Sequence, residues 1–241
     1  MEKNRARVYD PAFVGRLFDR MAPTYGAMNY VSSFGFCVRW RRACVRAVRI
    51  PRGAVVYDLM SGMGECWSLI DRRLAGEGAL VGVDLSAEMV KRSDRQVRRL
   101  RRLPITVRHE DFLANEIPDG VADVVVSAFG LKTFSADQQT AAVREMHRIL
   151  KPGGRFSLVE ISVPPGKALR APYLFYLRRV IPLLGRLFLG DPECYRLLGV
   201  YTEGFSTEHV ARCLDDAGLA YERRSLFFGC ATLFVGQRPG K

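Results

Sequence analysis

From Ala54 onward, short apolar runs alternate with amphipathic segments, and this alternation narrows the fold more than any other feature of the chain. Runs at 54–59, 79–84, 104–109, 122–128, 155–162, 220–227 and 230–236 read as strands, and 65–75, 86–102, 135–150 and 206–217 read as helices. Parallel strands need crossover connections, and helices supply them, so the pattern predicts an α/β fold: a mostly parallel, doubly wound sheet with helices on both faces.

The boundaries carry their own signals. Ser135 and Gln138 have capping-box spacing, and Ala142, Val143, Met146, Ile149 and Leu150 follow as an apolar stripe. Lys151-Pro152-Gly153-Gly154 then stops the helix and turns the chain into the next strand. Ser206 opens the later helix and Gly218 closes it as a C′ residue. Two regions stand outside the alternation: a helical lead-in over 1–53 and an insertion over 166–204. The expected organisation is a single domain, with the lead-in, a core over 54–165, the insertion, and a final helix and strand pair over 205–241.

At 241 residues the chain buries roughly 70–75 % of its unfolded surface and needs no metal or disulfide to fold. Its six cysteines, at 37, 44, 66, 194, 213 and 230, form no Cys-x-x-Cys pair, and no histidine stands at metal spacing. No metal is expected. The amino end lacks the apolar core of a signal peptide, and no run reaches the ~18 apolar residues of a membrane span. The expected location is the cytoplasm, with peripheral contact at the inner face of the membrane. The net charge of +12 favours an anionic partner or surface, though an arginine-rich composition also follows from genome bias. The arginines at 39, 41, 42, 46 and 49, and those at 92, 95, 98, 99, 101 and 102, read first as solvated helix faces and second as membrane-facing ones. No RNA-binding module is visible, which ranks nucleic acid low.

The turn after the first strand, Asp58-Leu59-Met60-Ser61-Gly62-Met63-Gly64-Glu65, asks for a ligand of particular chemistry. No Lys-Ser/Thr follows the glycines, so it is not a Walker loop, and the third glycine of a dinucleotide fingerprint is missing. Asp58 and Glu65 would repel a pyrophosphate. A tight structural turn remains a reading in its own right. A ligand without phosphate fits better: Gly62 and Gly64 permit close backbone approach, and the two acids suit a cationic amine. S-adenosylmethionine has an ammonium, a carboxylate and a sulfonium and no phosphate. Asp84 closes the second strand, where an acid reaches ribose hydroxyls, and Asp111 with Phe112 follows the third, placed for an adenine amino group and ring.

With these residues the sequence resembles the class I S-adenosylmethionine-dependent methyltransferases, whose fold is a Rossmann-like seven-stranded sheet. The segment Phe18-Asp19-Arg20-Met21-Ala22-Pro23-Thr24-Tyr25-Gly26-Ala27-Met28-Asn29 narrows the resemblance to the ubiquinone/menaquinone C-methyltransferases (UbiE/MenG type). Ser33-Phe34-Gly35, Arg39-Trp40-Arg41-Arg42, Ala128-Phe129-Gly130-Leu131, Val159-Glu160-Ile161-Ser162 and Asp191 through Tyr195-Arg196-Leu197-Leu198 agree with it. It covers the chain from about residue 12 to the end. The resemblance implies methyl transfer to a ring carbon of a prenylated quinol. It places Met63, Asp84, Asp111, Phe112 and Ala128 at the cofactor, with Asp58, Gly62 and Gly64 beside them.

A quinol carbon is a good nucleophile only when the neighbouring hydroxyl loses its proton, so a base or a phenolate-stabilising cation is wanted near strand four. The family usually reads Phe-Gly-Leu-Arg-Asn there, and this chain reads Phe129-Gly130-Leu131-Lys132-Thr133; it also has Met63 where threonine is usual. Lys132, Tyr25, Tyr195 and Arg196 are the catalytic candidates, with Asn29 and Glu160 as further acceptor-side residues; plain packing stands beside that reading for both tyrosines, and a solvated charge for Lys132. The Lys-Thr change keeps other readings open: a different small-molecule acceptor, a different transfer on a quinone, a non-catalytic cofactor- or quinone-binding subunit, or RNA methylation. A homodimer is compatible with the sequence.

Overall fold

The computed structural model describes residues 7–187 and 191–240. Residues 1–6 of the lead-in, Phe188, Leu189 and Gly190 of the insertion, and Lys241 lie outside the described residues.

The lead-in folds as α1 (Pro11–Met21), α2 (Tyr25–Ser32) and α3 (Phe36–Ala47). Asp10 caps α1 by accepting from the Phe13 N–H at 2.9 Å, and Pro11 takes the first turn, where no amide donor is needed. The alternation then follows as β1 (Val55–Leu59), α4 (Trp67–Leu74), β2 (Ala79–Asp84), α5 (Ala87–Arg99), β3 (Ile105–His109), β4 (Ala122–Ala128), α6 (Ala136–Ile149) and β5 (Leu150–Ile161). The insertion is helical, with α7 (Lys167–Phe175), a π-helical turn over Tyr176–Val180, α8 (Ile181–Leu187) and α9 (Pro192–Gly204). The chain ends in α10 (Thr207–Asp216), β6 (Ala220–Leu226) and β7 (Ala231–Gln237).

The seven strands form one sheet in the order β3-β2-β1-β4-β5-β7-β6, parallel except for β7, which runs antiparallel to both neighbours. Strand order reverses between β1 and β4, so their carboxyl ends diverge and leave a crevice. The capping box at Ser135 and Gln138 forms in full, and Gly218 takes the expected left-handed conformation with φ +69°. One boundary differs by more than three residues. The fifth strand starts at Leu150 rather than 155, because Leu150 already pairs with Ala122; the register then shifts to Val124–Arg155, so the Lys-Pro-Gly-Gly stretch bulges within the strand instead of preceding it.

Alternate residues of each strand feed opposite cores. Val56, Val124 and Val126 join Cys44, Val45, Trp67 and Ile70 beneath α3 and α4. Tyr57, Leu59 and Val125 join Val143, Met146, Val210 and Leu214 beneath α6 and α10. A third cluster, with Val14, Leu17, Met21, Met28, Tyr195 and Tyr201, fastens α1 and α2 to α9. Arg41 corrects the reading of the arginines as surface. It lies on the inward stripe Cys37, Arg41, Cys44 of α3, continued by Val48 just past its end, and is 9 % exposed, whereas Arg39, Arg42, Arg46 and Arg49 face solvent.

Candidate active site

The turn after β1 is held open from within. The Gly62 N–H donates to Asp84 Oδ2 at 2.7 Å and the Ser86 N–H to Asp84 Oδ1 at 2.9 Å, so one carboxylate ties the ends of β1 and β2 together. Glu65 Oε2 accepts from the Met63 N–H at 3.1 Å, closing the turn on itself. Gly64 has φ +79°, and a β-carbon there would lie 2.5 Å from the Trp67 ring; one on Gly82 would lie 2.4 Å from the same indole. These two glycines therefore make room for a fully buried tryptophan. Gly62 is the glycine of the turn that reaches the crevice. Met63 packs toward the third cluster, under α1 and α2, and its side chain is not among the crevice walls.

Two non-glycine residues at the switch point have positive φ: Met60 at 51° and Phe129 at 72°. Strain of this kind costs about 1–3 kcal/mol and persists where the surroundings fix it. Here each loop fixes the other, since a β-carbon on Gly130 would fall 2.4 Å from Met60 Cβ.

Three hollows meet at this point. The first, about 70 Å³, is walled by Gly62, Asp84, Leu85, Asp111, Phe112 and Ala128, with α1 above it. The second, about 20 Å³, is polar and lies among Asp58, Glu65, Arg41, Gly62 and Ala128. The third, about 420 Å³, is apolar and enclosed by the lead-in, the insertion and the end of β5. Tyr25 walls all three. Its phenol is buried, and burial followed by the charge of Glu65 raises its pKa, so it stands there as a neutral hydroxyl.

The charges of the polar niche suit a zwitterion. Asp58 is 2 % exposed, and its Oδ2 has no hydrogen-bond partner. Burial, and then Glu65, hold its carboxyl well above the usual range, which is the condition of an acid waiting for a cation. Arg41 stands opposite: Nη2 is 3.4 Å from Glu65 Oε1, and the guanidinium lies 5.2 Å from the Phe129 ring centroid. Two acids and one buried arginine fit an α-ammonium and an α-carboxylate. Asp84, lifted to about 6 by burial despite its two N–H donors, sits in the neighbouring hollow. Asp111 Oδ1 caps the turn after β3 through the Leu113 N–H at 2.9 Å, and Phe112 is buried beneath the hollow.

The acceptor-side candidates divide. Tyr25, Asn29, Lys132 and Tyr195 all wall the large cavity. Tyr195 shares a 2.7 Å hydrogen bond with Thr24, which fixes α9 to the lead-in. Lys132 is not a solvated loop charge: it is buried, with Nζ 2.8 Å from both Glu160 Oε1 and the Phe129 carbonyl oxygen. Arg196 is not brought in. It is 65 % exposed on the outside of α9, 3.8 Å from Glu193, and follows the inward-facing Tyr195 directly in sequence. Sequence reasoning missed the inward place of Arg41, although its helical period with Cys37, Cys44 and Val48 carried the signal.

A seven-stranded sheet of this order, with an acid-lined crevice at its switch point, is the fold of a class I S-adenosylmethionine-dependent methyltransferase. The solved structures agree on the fold. One chain of the complex between the Haloferax volcanii Trm112 methyltransferase activator and the putative methyltransferase superposes with TM-score 0.63 at 20 % identity, covering 92 % of this chain and 97 % of that one. A SAM-dependent methyltransferase from Aquifex aeolicus gives TM-score 0.56 at 17 % identity, over 78 % and 84 %. More particularly, the sequence profile of the ubiE/COQ5 methyltransferase family matches residues 3–238, and the chain belongs to that family. A protein of Thermus thermophilus named demethylmenaquinone methyltransferase is 34 % identical over 92 % of this chain and all of its own length.

Proposed function

We propose that this enzyme methylates a ring carbon of a prenylated benzoquinol or naphthoquinol. The observation that carries the reading is the apolar cavity of about 420 Å³, which meets the cofactor crevice at Tyr25 and Phe129 and has a buried cation, Lys132, in its wall. The likeness to a protein named demethylmenaquinone methyltransferase supports a naphthoquinol in particular.

S-adenosylmethionine supplies an electrophilic methyl group when bound; the chain's own residues hold, orient and dry the reactants. In this reading Asp58 and Glu65 take the α-ammonium and Arg41 the α-carboxylate. Asp84 accepts from the ribose hydroxyls, Asp111 and Phe112 take the adenine, and Ala128 lies beside the methionyl chain. The lead-in and the insertion together cover the acceptor, and the middle of the chain holds the cofactor. Glu160 already accepts from Lys132 Nζ, the Lys132 N–H and the Ile161 N–H, at 2.8, 3.0 and 2.8 Å. A carboxylate so occupied serves as the anchor of its lysine. Lys132 therefore acts as the cation that favours loss of the quinol proton, and Tyr25 orients the ring at the junction.

The test is incubation with methyl-labelled S-adenosylmethionine and a demethylated prenyl quinol kept reduced, followed by mass spectrometry. One added methyl on the ring is expected, and none on the oxidised quinone. Label that enters only non-quinone compounds from a cell extract would favour the second reading, another small-molecule acceptor. That reading has an observation of its own: the Thr133 hydroxyl donates to the Gly130 carbonyl at 2.7 Å and is not left over for an acceptor oxygen.

A further inference from the structure

Three phenylalanines at the mouth of the large cavity are both strained and exposed. Phe34, Phe227 and Phe228 have φ of 50°, 45° and 56°, and they are half of the six non-glycine residues with positive φ among the described residues. They are 79 %, 47 % and 80 % exposed. A bulky side chain in the left-handed region is a steric outlier, and asparagine or glycine is the usual occupant. Phe228 is the most exposed of the three, and its ring lies 5.5 Å from that of Phe227, centroid to centroid. Phe34 and Phe227 wall the cavity and face solvent at once, so they mark its opening, as does Leu169.

Cations ring this opening. Arg39 lies 5.4 Å from the centroid of Phe36, whose own ring is 4.1 Å from Phe227. Lys167 and Arg170 flank Leu169 on α7 and are exposed. None of these three cations forms a salt bridge among the described residues. Among those residues no helix is long and apolar enough to cross a membrane.

We infer that Phe34, Phe227 and Phe228 are an interfacial wedge that seats the cavity mouth in an anionic lipid bilayer, with Arg39, Lys167 and Arg170 against the headgroups. Aromatic tips at acyl depth with cations one layer above are the arrangement by which a protein lies on a bilayer without spanning it. The chain's +12 charge acts in the same sense. The inference deepens the prenylated-acceptor reading and rests on it for its purpose. A mouth seated in lipid lets a prenyl chain stay among acyl chains while the ring enters the cavity.

The experiment is vesicle co-sedimentation of the full chain, with no quinol and no cofactor. Vesicles of phosphatidylglycerol with phosphatidylcholine are compared with phosphatidylcholine alone, and binding to the former is expected to dominate. Phe228→Asn relieves backbone strain, so its melting temperature should stay level or rise while its vesicle partition falls about five- to tenfold, the effect of withdrawing part of one aromatic ring from lipid. Lys167→Glu with Arg170→Glu should weaken binding to the anionic vesicles alone. Arg95→Glu with Arg98→Glu, on α5 over the β2–β3 half of the sheet, should weaken it much less. Wild-type partition of Phe228→Asn, equal loss from both charge reversals, or a stable dimer that Phe228→Asn dissociates would each overturn the wedge. Methyl transfer is not measured, so failure here leaves the activity reading to its own test.

Discussion

Lys132 Nζ lies 2.8 Å from Glu160 Oε1, and the two side chains are 5 % and 1 % exposed. A buried pair of this kind contributes little net stability against an apolar replacement, but breaking one half leaves a charge with no counterpart. Glu160→Gln should therefore lower stability by about 3–5 kcal/mol, while Lys132→Met with Glu160→Gln together should recover most of that loss. Denaturant titration of the two singles and the double closes the cycle. The double variant should fold, bind cofactor and transfer methyl groups poorly. A fully active double variant would remove Lys132 from the chemistry.

Asp84 gives the crevice a pH dependence whose sign is fixed. Its folded pKa of about 6 lies above its ordinary 3.8, so the cofactor-free folded state holds a proton that the unfolded chain has released. The stability this proton contributes is fully present below the ordinary value and is lost as pH rises through 6. Binding runs the opposite way, because a ribose diol donates best to the ionised carboxylate. The thermal shift produced by S-adenosylhomocysteine should thus be small at pH 5 and grow through pH 6 to a plateau. Asp84→Asn should lower affinity by about tenfold or more, the worth of a charge-assisted hydrogen bond, and flatten that profile. A shift independent of pH in the wild type would remove Asp84 from the ribose.

The strand–helix order, the capping box at Ser135 and the acids at three strand ends were legible in the sequence because each rests on a local rule: period, cap chemistry, or position after an apolar run. Asp84 and Asp111 came to the same crevice because parallel strands all present their carboxyl ends on one edge. What was not legible depended on distant packing. Gly64 looks like a ligand glycine in one dimension, yet its constraint comes from Trp67 together with Gly82 on the neighbouring strand. Arg196 sits beside Tyr195 in sequence, but a helix turns the two side chains apart. Lys132 reads as a loop charge until the fold brings Glu160 against it from β5.

The two glycines of the turn should separate stability from binding. Gly64→Ala sets a methyl group 2.5 Å from the rigid Trp67 ring at φ +79°, so it should cost about 2–4 kcal/mol from overpacking and left-handed strain together. Gly62→Ala, at φ +59°, meets only the flexible end of Glu65 at 2.9 Å. It should cost about 1–2 kcal/mol of stability but lose more cofactor affinity, because Gly62 faces the crevice. Paired measurement of melting temperature and cofactor affinity by calorimetry checks this. Larger binding loss from Gly64→Ala than from Gly62→Ala, after allowance for unfolded protein, would reverse the assignment.

Arg41 is the residue whose role can be isolated by ligand rather than by mutation alone. Its guanidinium is held between Glu65 and the face of Phe129, and it is the cation among the walls of that niche. Arg41→Met keeps most of the side-chain length and removes the charge. If the guanidinium receives the α-carboxylate, the variant should lose about ten- to a hundredfold in affinity for S-adenosylhomocysteine, the range of a hydrogen bond to a charged group. Its affinity for 5′-methylthioadenosine, which has the nucleoside and sulfur but no amino acid, should change little. The melting temperature of the variant without ligand reports how much of any loss comes from freeing Glu65. Equal losses for both ligands would mean that Arg41 shapes the crevice as a whole, by supporting Phe129 in its strained conformation, and does not contact the amino acid.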